Sequence, residues 1–386
     1  MIELQLIPHH MTLKKAKKSR KTVLIYGAGA IGRGYMPWVF SPLKYDLIFV
    51  ERNEALRALL QKAGEYTTHK TVSGKYVSMR VPIKACLAPG EEREILTSVD
   101  VVVTAVGPRN ILSVAEPLRG TTIPIICCEN DPASAEILRL ETRNPLAVFA
   151  VPDVITSNTA PADILQKDPL GIITEDGACI IDSRARSAGG NATYVKESEL
   201  KKQWTAKLYL HNTPHCIAAY LGSFLDVKYV HETMVVKEAR AIVAGAMREM
   251  QATLLKITDL DKKFVDWYAD KELRRFSNKL LFDPVSRVAR EPFRKLAPNE
   301  RLLGAAQMCL SAGVYPQNML TGIVAAFLYD NPRDPDANIR YLVRALQLPD
   351  FLRIVMGLDS DEALQQLLAR NWKNNVVLLR ELSHHG

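Results

Sequence analysis

A short stretch near the middle of the chain places a lysine, an amide and an imidazole within nine residues. Lys207, Asn212 and His215 occur there in the sequence K-L-Y-L-H-N-T-P-H. A lysine whose pKa is lowered by burial or by a nearby positive charge can take the proton of an alcohol, and amide and imidazole groups can hold the oxygen while it is charged. These groups are what oxidation of an alcohol requires, so the chain must also provide a place for a hydride acceptor.

Each of the three residues also has an ordinary structural interpretation. Lys207 could be a solvated surface residue, Asn212 could cap a helix, and His215 could be a hydrogen-bonded core histidine. Thr213 and Pro214 are typical of the N-cap and first position of a helix that continues to about residue 225. A continuous helix from Lys207 to His215 would separate these two residues by about 12 Å along its axis. Either Lys207 precedes the regular helix, or the chain bends near Pro214.

A glycine pattern near the start of the chain predicts the site of the hydride acceptor. The apolar segment 22–26 is followed at once by Gly27-Ala28-Gly29-Ala30-Ile31-Gly32. In G-x-G-x-x-G the first glycine allows a tight turn, the second lets the backbone approach a pyrophosphate, and the third lets the helix pack on its strand. We expect a dinucleotide to bind at Gly27, Gly29, Ala30, Ile31 and Gly32; a tight turn without a ligand is the alternative.

The residue after the second predicted strand indicates which dinucleotide is bound. The strand at 46–50 ends in Glu51, about 20 residues after the last glycine, where a carboxylate accepts hydrogen bonds from the adenosine ribose and repels a 2′-phosphate. Arg52 beside it could instead pair with a 2′-phosphate. The sequence favours NAD over NADP.

The remaining elements predict an α/β chain with two domains. Buried strands at 99–106, 122–128 and 146–151, with a β extension at 179–182 and 191–195, predict a doubly wound, Rossmann-type NAD-binding domain over 22–197. Ligands in such sheets lie beyond the carboxyl ends of the strands. Gly107, Pro108, Glu129 and Asn130 are therefore expected around the nicotinamide, although Asn130 could be either a second oxyanion donor or a turn residue.

The second half of the chain lacks strand signals and predicts a mainly α-helical substrate domain over 198–386. Helical periodicity is present at 230–255, 261–276, 297–312, 319–329, 336–346 and 360–379, and prolines fall near the breaks.

Charge and cysteine usage exclude several classes of protein. Much of the formal charge of +8 comes from six lysine and arginine residues between Lys14 and Lys21, so the segment 1–21 is expected to be a disordered, solvated tail. The rest of the chain is nearly balanced, which argues against nucleic acid as a partner. No apolar run reaches the roughly 18 residues of a membrane span. Six cysteines without paired C-x-x-C spacing predict neither zinc nor disulfides and fit a reducing cytoplasm.

Four segments of the sequence resemble the polyol-specific long-chain dehydrogenases, the mannitol dehydrogenase family. The segment K-L-Y-L-H-N-T-P-H-C-I-A-A-Y-L-G at 207–222 is similar to the family's Lys-x4-Asn-x2-His signature. The other segments are G-A-G-A-I-G-R-G at 27–34, C-E-N at 128–130, and R-F-S-N at 275–278 followed by D-P-V-S-R-V-A-R-E-P-F-R-K-L at 283–296. The last of these resembles the branch of the family that acts on mannitol 1-phosphate.

The resemblance implies a role for each matching residue. Lys207 would be the general base, Asn212 and Asn130 would be the oxyanion donors, His215 would orient the substrate oxygen, and Arg275 would contact the substrate. No catalytic metal is implied. Two departures stand out: Pro214 replaces a glycine that is common in the mannitol-phosphate enzymes, and the family's Val-Asp-Arg segment occurs only as V-P-D-V at 151–154, without its arginine.

The expected function is an NAD-dependent interconversion of mannitol 1-phosphate and fructose 6-phosphate. Arg287, Arg290, Arg294 and Lys295 could clamp the phosphate through charge-assisted hydrogen bonds, or they could form a solvated helix face. The alternatives are a dehydrogenase for an unphosphorylated polyol or a hexuronate, and a non-catalytic NAD-binding regulator.

Overall fold

The computed structural model of the chain describes residues 20–165, 168–334, 336–359 and 362–384. Residues 1–19 of the predicted tail at 1–21 lie outside the described residues.

The strands of the described residues form two sheets. They are β1 (Lys21–Tyr26), β2 (Tyr45–Val50), β3 (Glu65–Val72), β4 (Lys75–Pro82), β5 (Ala85–Leu87), β6 (Val101–Thr104), β7 (Ile125–Cys127), β8 (Ala147–Pro152), β9 (Thr156–Ser157), β10 (Ile172–Glu175), β11 (Cys179–Asp182) and β12 (Thr193–Val195). The larger sheet has the order β12-β11-β8-β7-β6-β1-β2-β5, and the smaller one has the order β4-β3-β10-β9.

The helices follow the same chain order. They are α1 (Met36–Val39), α2 (Glu54–Ala63), α3 (Ile111–Ala115), α4 (Ala133–Thr142), α5 (Glu197–Ala206), α6 (Thr213–Phe224), α7 (Val230–Thr233), α8 (Lys237–Ile257), α9 (Lys262–Phe276), α10 (Val285–Ala289), α11 (Pro292–Leu296), α12 (Leu303–Ser311), α13 (Gln317–Phe327), α14 (Ile339–Leu346), α15 (Leu348–Ile354) and α16 (Ala363–His384). Two π-helical segments, Ala30–Tyr35 and Lys207–Asn212, are described below.

The larger sheet confirms the predicted Rossmann-type fold. The neighbouring strands β5, β2, β1, β6, β7 and β8 of this sheet all run parallel. They are apolar because helices cover both faces of a parallel sheet. The strand at 179–182 adds to β8 in antiparallel register, and β12 then pairs with β11 in parallel. The predicted extension is therefore part of the main sheet. The carboxyl ends of β1, β2, β6, β7 and β8 meet at one edge.

The smaller sheet was not predicted from the sequence, and it packs beside the glycine turn. Arg33 is buried and donates to the carbonyl oxygens of Ala28 and Leu170, and Thr68 Oγ1 donates to Gly34 O. A Cβ added to Gly34 would lie 2.4 Å from Ile172 Cγ2. This glycine lets the smaller sheet approach the helix closely.

The helical half confirms the predicted class but corrects one boundary. The segment 230–255 was expected to be one helix, whereas α7 and α8 are separated by residues 234–236. Val236 is in an extended conformation as the N-cap of α8. The β-branched pair Val235 and Val236 favours extended backbone, and this accounts for the break.

The segment from α5 to α6 is helical throughout, which corrects the prediction of a helix start at Thr213. The π-helical segment at 207–212 joins α5 to α6, and Thr213 N donates to Leu208 O, five residues earlier. Thr213 Oγ1 does not cap a helix; it donates to the carbonyl oxygens of Leu208 and Arg301. Pro214 has no N–H to give to the preceding turn, and such π turns occur often at functional sites.

Candidate active site

The glycine turn has the geometry of a phosphate-binding loop. Gly27 has φ +90°, which only glycine adopts readily, and a Cβ added to Gly32 would lie 1.9 Å from Gly27 O. A Cβ added to Gly29 would meet no protein atom within 4 Å. The first and third glycines are therefore needed by the protein itself, while Gly29 faces open space. Ala30 and Ile31 begin the π-helical turn that follows.

Glu51 is tied to the glycine turn by its carboxylate. Its Oε2 accepts a hydrogen bond of 2.8 Å from Ala28 N, and its Oε1 accepts one of 2.8 Å from Asn53 N. Arg52 is exposed and donates to Asn110 Oδ1 at 2.8 Å. The two residues thus point to different partners, with Glu51 held against the turn and Arg52 against the loop after β6.

A cavity of about 460 Å³ opens between these residues. Its walls include Gly27, Gly29, Glu51, Arg52 and Val106, together with Arg93 and Glu116 from the far side. A concave volume of several hundred cubic ångströms is typical of a cofactor site. The residues present therefore fit the adenosine part of a dinucleotide.

The loops after β6 and β7 are fixed to each other by a buried carboxylate. Glu129 is 3% exposed, and its carboxylate accepts hydrogen bonds from Val106 N at 3.0 Å and Gly107 N at 2.7 Å. Burial raises the pKa of Glu129, although the two backbone hydrogen bonds lower it in part. Glu129 was expected to line the nicotinamide pocket, but its side chain instead holds the Gly107-Pro108 loop in place.

Lys207 and Asn212 lie at the two ends of the π-helical segment. In a π turn the residues i and i+5 share a hydrogen-bonded turn, so Lys207 and Asn212 lie on one face of the helix. His215 follows Asn212 by three residues and continues that face into α6. The π turn widens the helix between Lys207 and Asn212 and brings these residues to one face, while Lys207 and His215 remain separated along the helix axis.

Lys207 is directed at the carboxyl end of β8. Its Nζ donates a hydrogen bond of 2.8 Å to Pro152 O. Burial lowers the pKa of Lys207 to about 8; Arg275 and Arg301 act in the same direction, while Asp153 opposes them. A lysine in this state exchanges a proton near neutral pH, as a general base must.

Asn212 reaches the loop after β7. Its Nδ2 lies 3.5 Å from Asn130 Oδ1, so the two amides that were expected to hold an oxyanion do come together. Asn212 is 7% exposed, and Asn130 is half-buried at the carboxyl edge of the sheet. Lys207, Asn212 and Asn130 therefore surround the ends of β7 and β8.

His215 is held on two sides. Its ring stacks on Phe276, with ring centroids 5.0 Å apart and planes 1° from parallel. Its Nε2 lies 2.9 Å from Asp283 Oδ2. Asp283 also pairs with Arg287. A second imidazole, His211, lies 4.8 Å from His215 and contacts Glu272 through Nδ1 at 2.5 Å.

Arg275, which was expected to contact the substrate, lies in a buried cluster of charges. It donates to Asp153 Oδ1 and Glu175 Oε2 at 2.8 Å each, and to Glu272 Oε1 at 2.5 Å. Lys271 Nζ donates to Asp153 Oδ2 at 2.6 Å. Because all three carboxylates converge on one guanidinium, Arg275 joins α9 to the ends of β8 and β10.

Asp153, His211, Glu272 and Asp283 were not predicted from the sequence as parts of this site. Asp153 follows the carboxyl end of β8, so its position after a buried strand could have indicated it. Glu272 and Asp283 carry no local signal, because their partners are distant in sequence.

The basic segment 283–296 is only partly available to a ligand. Arg287 pairs with Asp283, and Arg294 donates to Glu291 Oε2 at 2.9 Å. Arg290 is exposed. Lys295 is buried, with Nζ donating to the carbonyl oxygens of Val288 and Arg290, and burial lowers its pKa to about 7. Two of the four cations proposed to bind phosphate are therefore already paired with carboxylates.

The described ranges contain neither a candidate metal cluster nor a candidate membrane span. No group of three or more His, Cys, Asp and Glu side chains there is placed to hold a metal ion. No helix there combines the length and apolar character needed to cross a bilayer. All six cysteines are buried free thiols.

Family models match both halves of the chain. The model described as the mannitol dehydrogenase Rossmann domain matches residues 21–159, and the model described as the mannitol dehydrogenase C-terminal domain matches residues 199–371. The combination of a Rossmann-type domain, a helical domain and the site at their junction defines a dehydrogenase.

Relatives match nearly the whole chain. The mannitol-1-phosphate 5-dehydrogenase of Bacillus licheniformis is 29% identical, covering 91% of this chain and 99% of its own. The enzyme of the same name from Bacillus subtilis is 29% identical, covering 90% and 98%. That from an Exiguobacterium species is 30% identical, covering 81% and 86%. The chain belongs to the mannitol dehydrogenase family and is an oxidoreductase, as the sequence predicted.

Solved structures agree on the fold. Pseudomonas fluorescens mannitol 2-dehydrogenase, in a ternary complex with NAD and D-mannitol, has a TM-score of 0.73 at 16% identity, covering 95% of this chain and 94% of its own. A substrate-free D-sorbitol dehydrogenase has a TM-score of 0.66 at 16% identity, covering 94% and 93%.

Proposed function

We propose that this oxidoreductase interconverts mannitol 1-phosphate and fructose 6-phosphate with NAD as its cofactor and Lys207 as its general base. The observation that carries the proposal is that Asn212 contacts Asn130 after β7 while Lys207, whose pKa is lowered to about 8, reaches Pro152 O at the end of the neighbouring strand β8. The names of the relatives at 29–30% identity support the phosphorylated substrate.

In this proposal each residue has one task in alcohol oxidation. The neutral amine of Lys207 takes the hydroxyl proton, and the Pro152 carbonyl keeps that amine at the site. The amides of Asn212 and Asn130 donate hydrogen bonds to the oxygen as negative charge develops on it. His215, held by Phe276 and Asp283, orients a neighbouring hydroxyl of the substrate. The glycine turn and Glu51 would hold the pyrophosphate and adenosine ribose of NAD, and its nicotinamide would supply the hydride acceptor.

The cofactor preference rests on Glu51. Its carboxylate is fixed by Ala28 N and Asn53 N at the wall of the 460 Å³ cavity. A fixed negative charge there accepts hydrogen bonds from ribose hydroxyls and repels a 2′-phosphate, which favours NAD. Arg52, the residue that could reverse this preference, donates to Asn110 instead.

A second candidate is a dehydrogenase for an unphosphorylated polyol. The observation in its favour is that Arg287 and Arg294 are paired with Asp283 and Glu291, which leaves Arg290 as the exposed cation of segment 283–296. A phosphate would have to compete with these carboxylates for the guanidinium groups.

The test is a cofactor-reduction assay with a panel of substrates. We expect NADH formation with mannitol 1-phosphate and little with mannitol, glucitol 6-phosphate or hexuronates, and NAD should be preferred to NADP. A higher kcat/KM for mannitol than for mannitol 1-phosphate would replace the first candidate by the second. Activity with neither polyol would contradict both.

A further inference from the structure

A small, partly open cavity lies on the side of His215 where Asp283 contacts it. Its volume is about 10 Å³, roughly the space that one water molecule needs. Its polar lining consists of His215, His231, Arg275, Asn278 and Asp283, and its apolar lining includes Phe276 and Leu281. A polar cavity of this size is the kind that holds an ordered water, whereas apolar cavities of similar size stay dry.

Four of the five polar residues around this cavity have a buried atom that makes no hydrogen bond with the described residues. These atoms are His215 Nε2, His231 Nδ1, Arg275 Nη2 and Asp283 Oδ2. His215, Arg275 and Asp283 are 7%, 7% and 4% exposed. Nε2 and Oδ2 are 2.9 Å apart, so His215 contacts Asp283 directly, and Arg275 Nη2 lies 2.6 Å from Glu175 Oε2. A buried polar atom left unpaired costs about 1–3 kcal/mol, and one water in this space would give the four atoms a shared partner beyond these ion-pair contacts.

We propose that this cavity binds one water molecule and that Asp283, directly and through this water, is the positioning residue of His215. The water accepts a hydrogen bond from Arg275 Nη2 and donates one to Asp283 Oδ2. His231 Nδ1 lies on the same cavity and is a further partner. With this arrangement His215 carries its proton on Nε2, toward Asp283, and presents the lone pair of Nδ1 to the cleft.

The charge of Asp283 determines which nitrogen of His215 is protonated. Although burial acts in the opposite direction, Arg287 and His215 lower the pKa of Asp283 to about 2. The carboxylate is therefore ionised at neutral pH and can only accept hydrogen bonds. Facing an acceptor, Nε2 must be the protonated nitrogen. Stacking on Phe276 fixes the plane of the ring, and Asp283 fixes its rotation.

The catalytic part of this inference rests on the proposed function: His215 would accept a hydrogen bond from a substrate hydroxyl through Nδ1. The water and the tautomer do not depend on the substrate. Their tests are therefore independent of the cofactor-reduction assay, and an enzyme inactive with every polyol would leave them intact.

The first experiment measures the tautomer and the water in the unmodified protein. Long-range 1H–15N spectra of 15N-histidine-labelled protein, recorded at alkaline pH where histidine is neutral, should give the Nε2–H pattern for His215. The signal is assigned by its loss in His215→Asn. A high-resolution crystal structure should place one water within hydrogen-bonding distance of Asp283 Oδ2 and Arg275 Nη2. An Nδ1–H pattern, or a cavity without density, would overturn the proposal.

The second experiment separates positioning from simple structural support. Asp283→Asn should change the tautomer of His215 and lower kcat about 10²-fold, the effect of a misplaced group, with NADH affinity unchanged. In a His215→Ala background the same change should have little further effect on kcat. Asp270→Asn, the same replacement at an exposed carboxylate of α9, should leave both readouts unchanged. An equal loss in kcat with and without His215 would show that Asp283 acts independently of the histidine.

Discussion

The amino group of Lys207 donates a 2.8 Å hydrogen bond to the carbonyl oxygen of Pro152, and the next residue in the chain, Asp153, is held by Arg275. One peptide segment after β8 thus joins the lysine at the carboxyl edge of the sheet to the buried charge cluster. Because a carbonyl accepts from either a neutral or a charged amine, this bond fixes the position of Nζ without deciding its protonation. The lysine can therefore remain in place while its proton is exchanged.

Replacement of Lys207 tests its role as the base. Lys207→Ala should lower kcat at least about 10²-fold, the low end of general-base effects, because no other amine replaces it. NADH affinity, measured by fluorescence titration, should stay nearly unchanged. Lys201→Ala is the matched control, since Lys201 lies on α5 with its side chain 76% exposed. A kcat close to that of the unmodified enzyme would remove the lysine from the mechanism.

The pH dependence follows from the pKa of about 8 for Lys207. Oxidation needs the neutral amine, so its kcat/KM should rise about tenfold per pH unit below that value and level off above it. Reduction needs the ammonium form and should fall above the same pH. Initial rates in both directions measure the two profiles.

A second buried lysine provides the control for this assignment. Burial lowers the pKa of Lys295 to about 7, so it could produce a similar profile. Lys295→Met should leave the inflection near pH 8 in place, whereas residual activity of Lys207→Ala should lack it. An inflection that vanishes in Lys295→Met would assign the ionisation to Lys295.

The buried cluster predicts a stability effect for Arg275. Arg275→Met leaves Asp153, Glu175 and Glu272 without their shared partner, which should lower the free energy of unfolding by about 3–5 kcal/mol. Denaturant unfolding measures this loss, and Arg274→Met at the exposed neighbour should change it little.

A double replacement of Asp153 and Arg275 distinguishes a structural role of Arg275 from a substrate-binding role. Asp153→Asn combined with Arg275→Met should cost less than the sum of the single changes, because the two residues are paired. A substrate KM that rises many-fold in Arg275→Met while stability stays unchanged would instead restore Arg275 as a substrate ligand.

The sequence predicted the elements whose signals are local. The dinucleotide-binding unit spans about 30 consecutive residues, from β1 through the glycine turn to β2 and the following Glu51. Its whole pattern is therefore visible in one stretch of sequence. The smaller sheet was missed although β3 and β4 form an antiparallel hairpin across Ser73 and Gly74, which is a local signal. Its parallel pairing of β3 with β10, a partner about 100 residues away in the chain, leaves no such signal, and β4 is largely solvent-facing.

The site was predictable in its residues but not in its geometry. Lys207, Asn212 and His215 were found by residue type and spacing. The π turn between Lys207 and Asn212 was not predicted, because the 3.6-residue periodicity that identifies a helix does not indicate where one turn is widened. The charge cluster was invisible for a different reason. Asp153, Glu175 and Glu272 converge only after folding, and a lone carboxylate in a sequence does not reveal that it will be buried.

The discrimination between cofactors should depend on the carboxylate of Glu51. Glu51→Gln keeps the shape of the side chain but removes its charge, so it should weaken NAD binding by roughly 10- to 100-fold, the range of a charge-assisted hydrogen bond. It should also raise the kcat/KM ratio of NADP to NAD. Glu54→Gln, at the exposed start of α2, is the matched control. An unchanged cofactor ratio would show that this carboxylate does not contact the ribose.

Replacement of the second and third glycines of the turn, Gly29 and Gly32, should separate effects on cofactor binding from effects on folding. Gly32→Ala places a Cβ 1.9 Å from Gly27 O, so β1 and its helix must move apart, and both thermal stability and NADH affinity should fall. Gly29→Ala places a Cβ where no protein atom lies within 4 Å, so the melting temperature should stay within about 2 °C, the shift expected for less than 1 kcal/mol. The same methyl group would occupy the space that a pyrophosphate needs, so NADH affinity should still fall. Gly29→Ala protein that binds NADH normally would place the cofactor away from this turn.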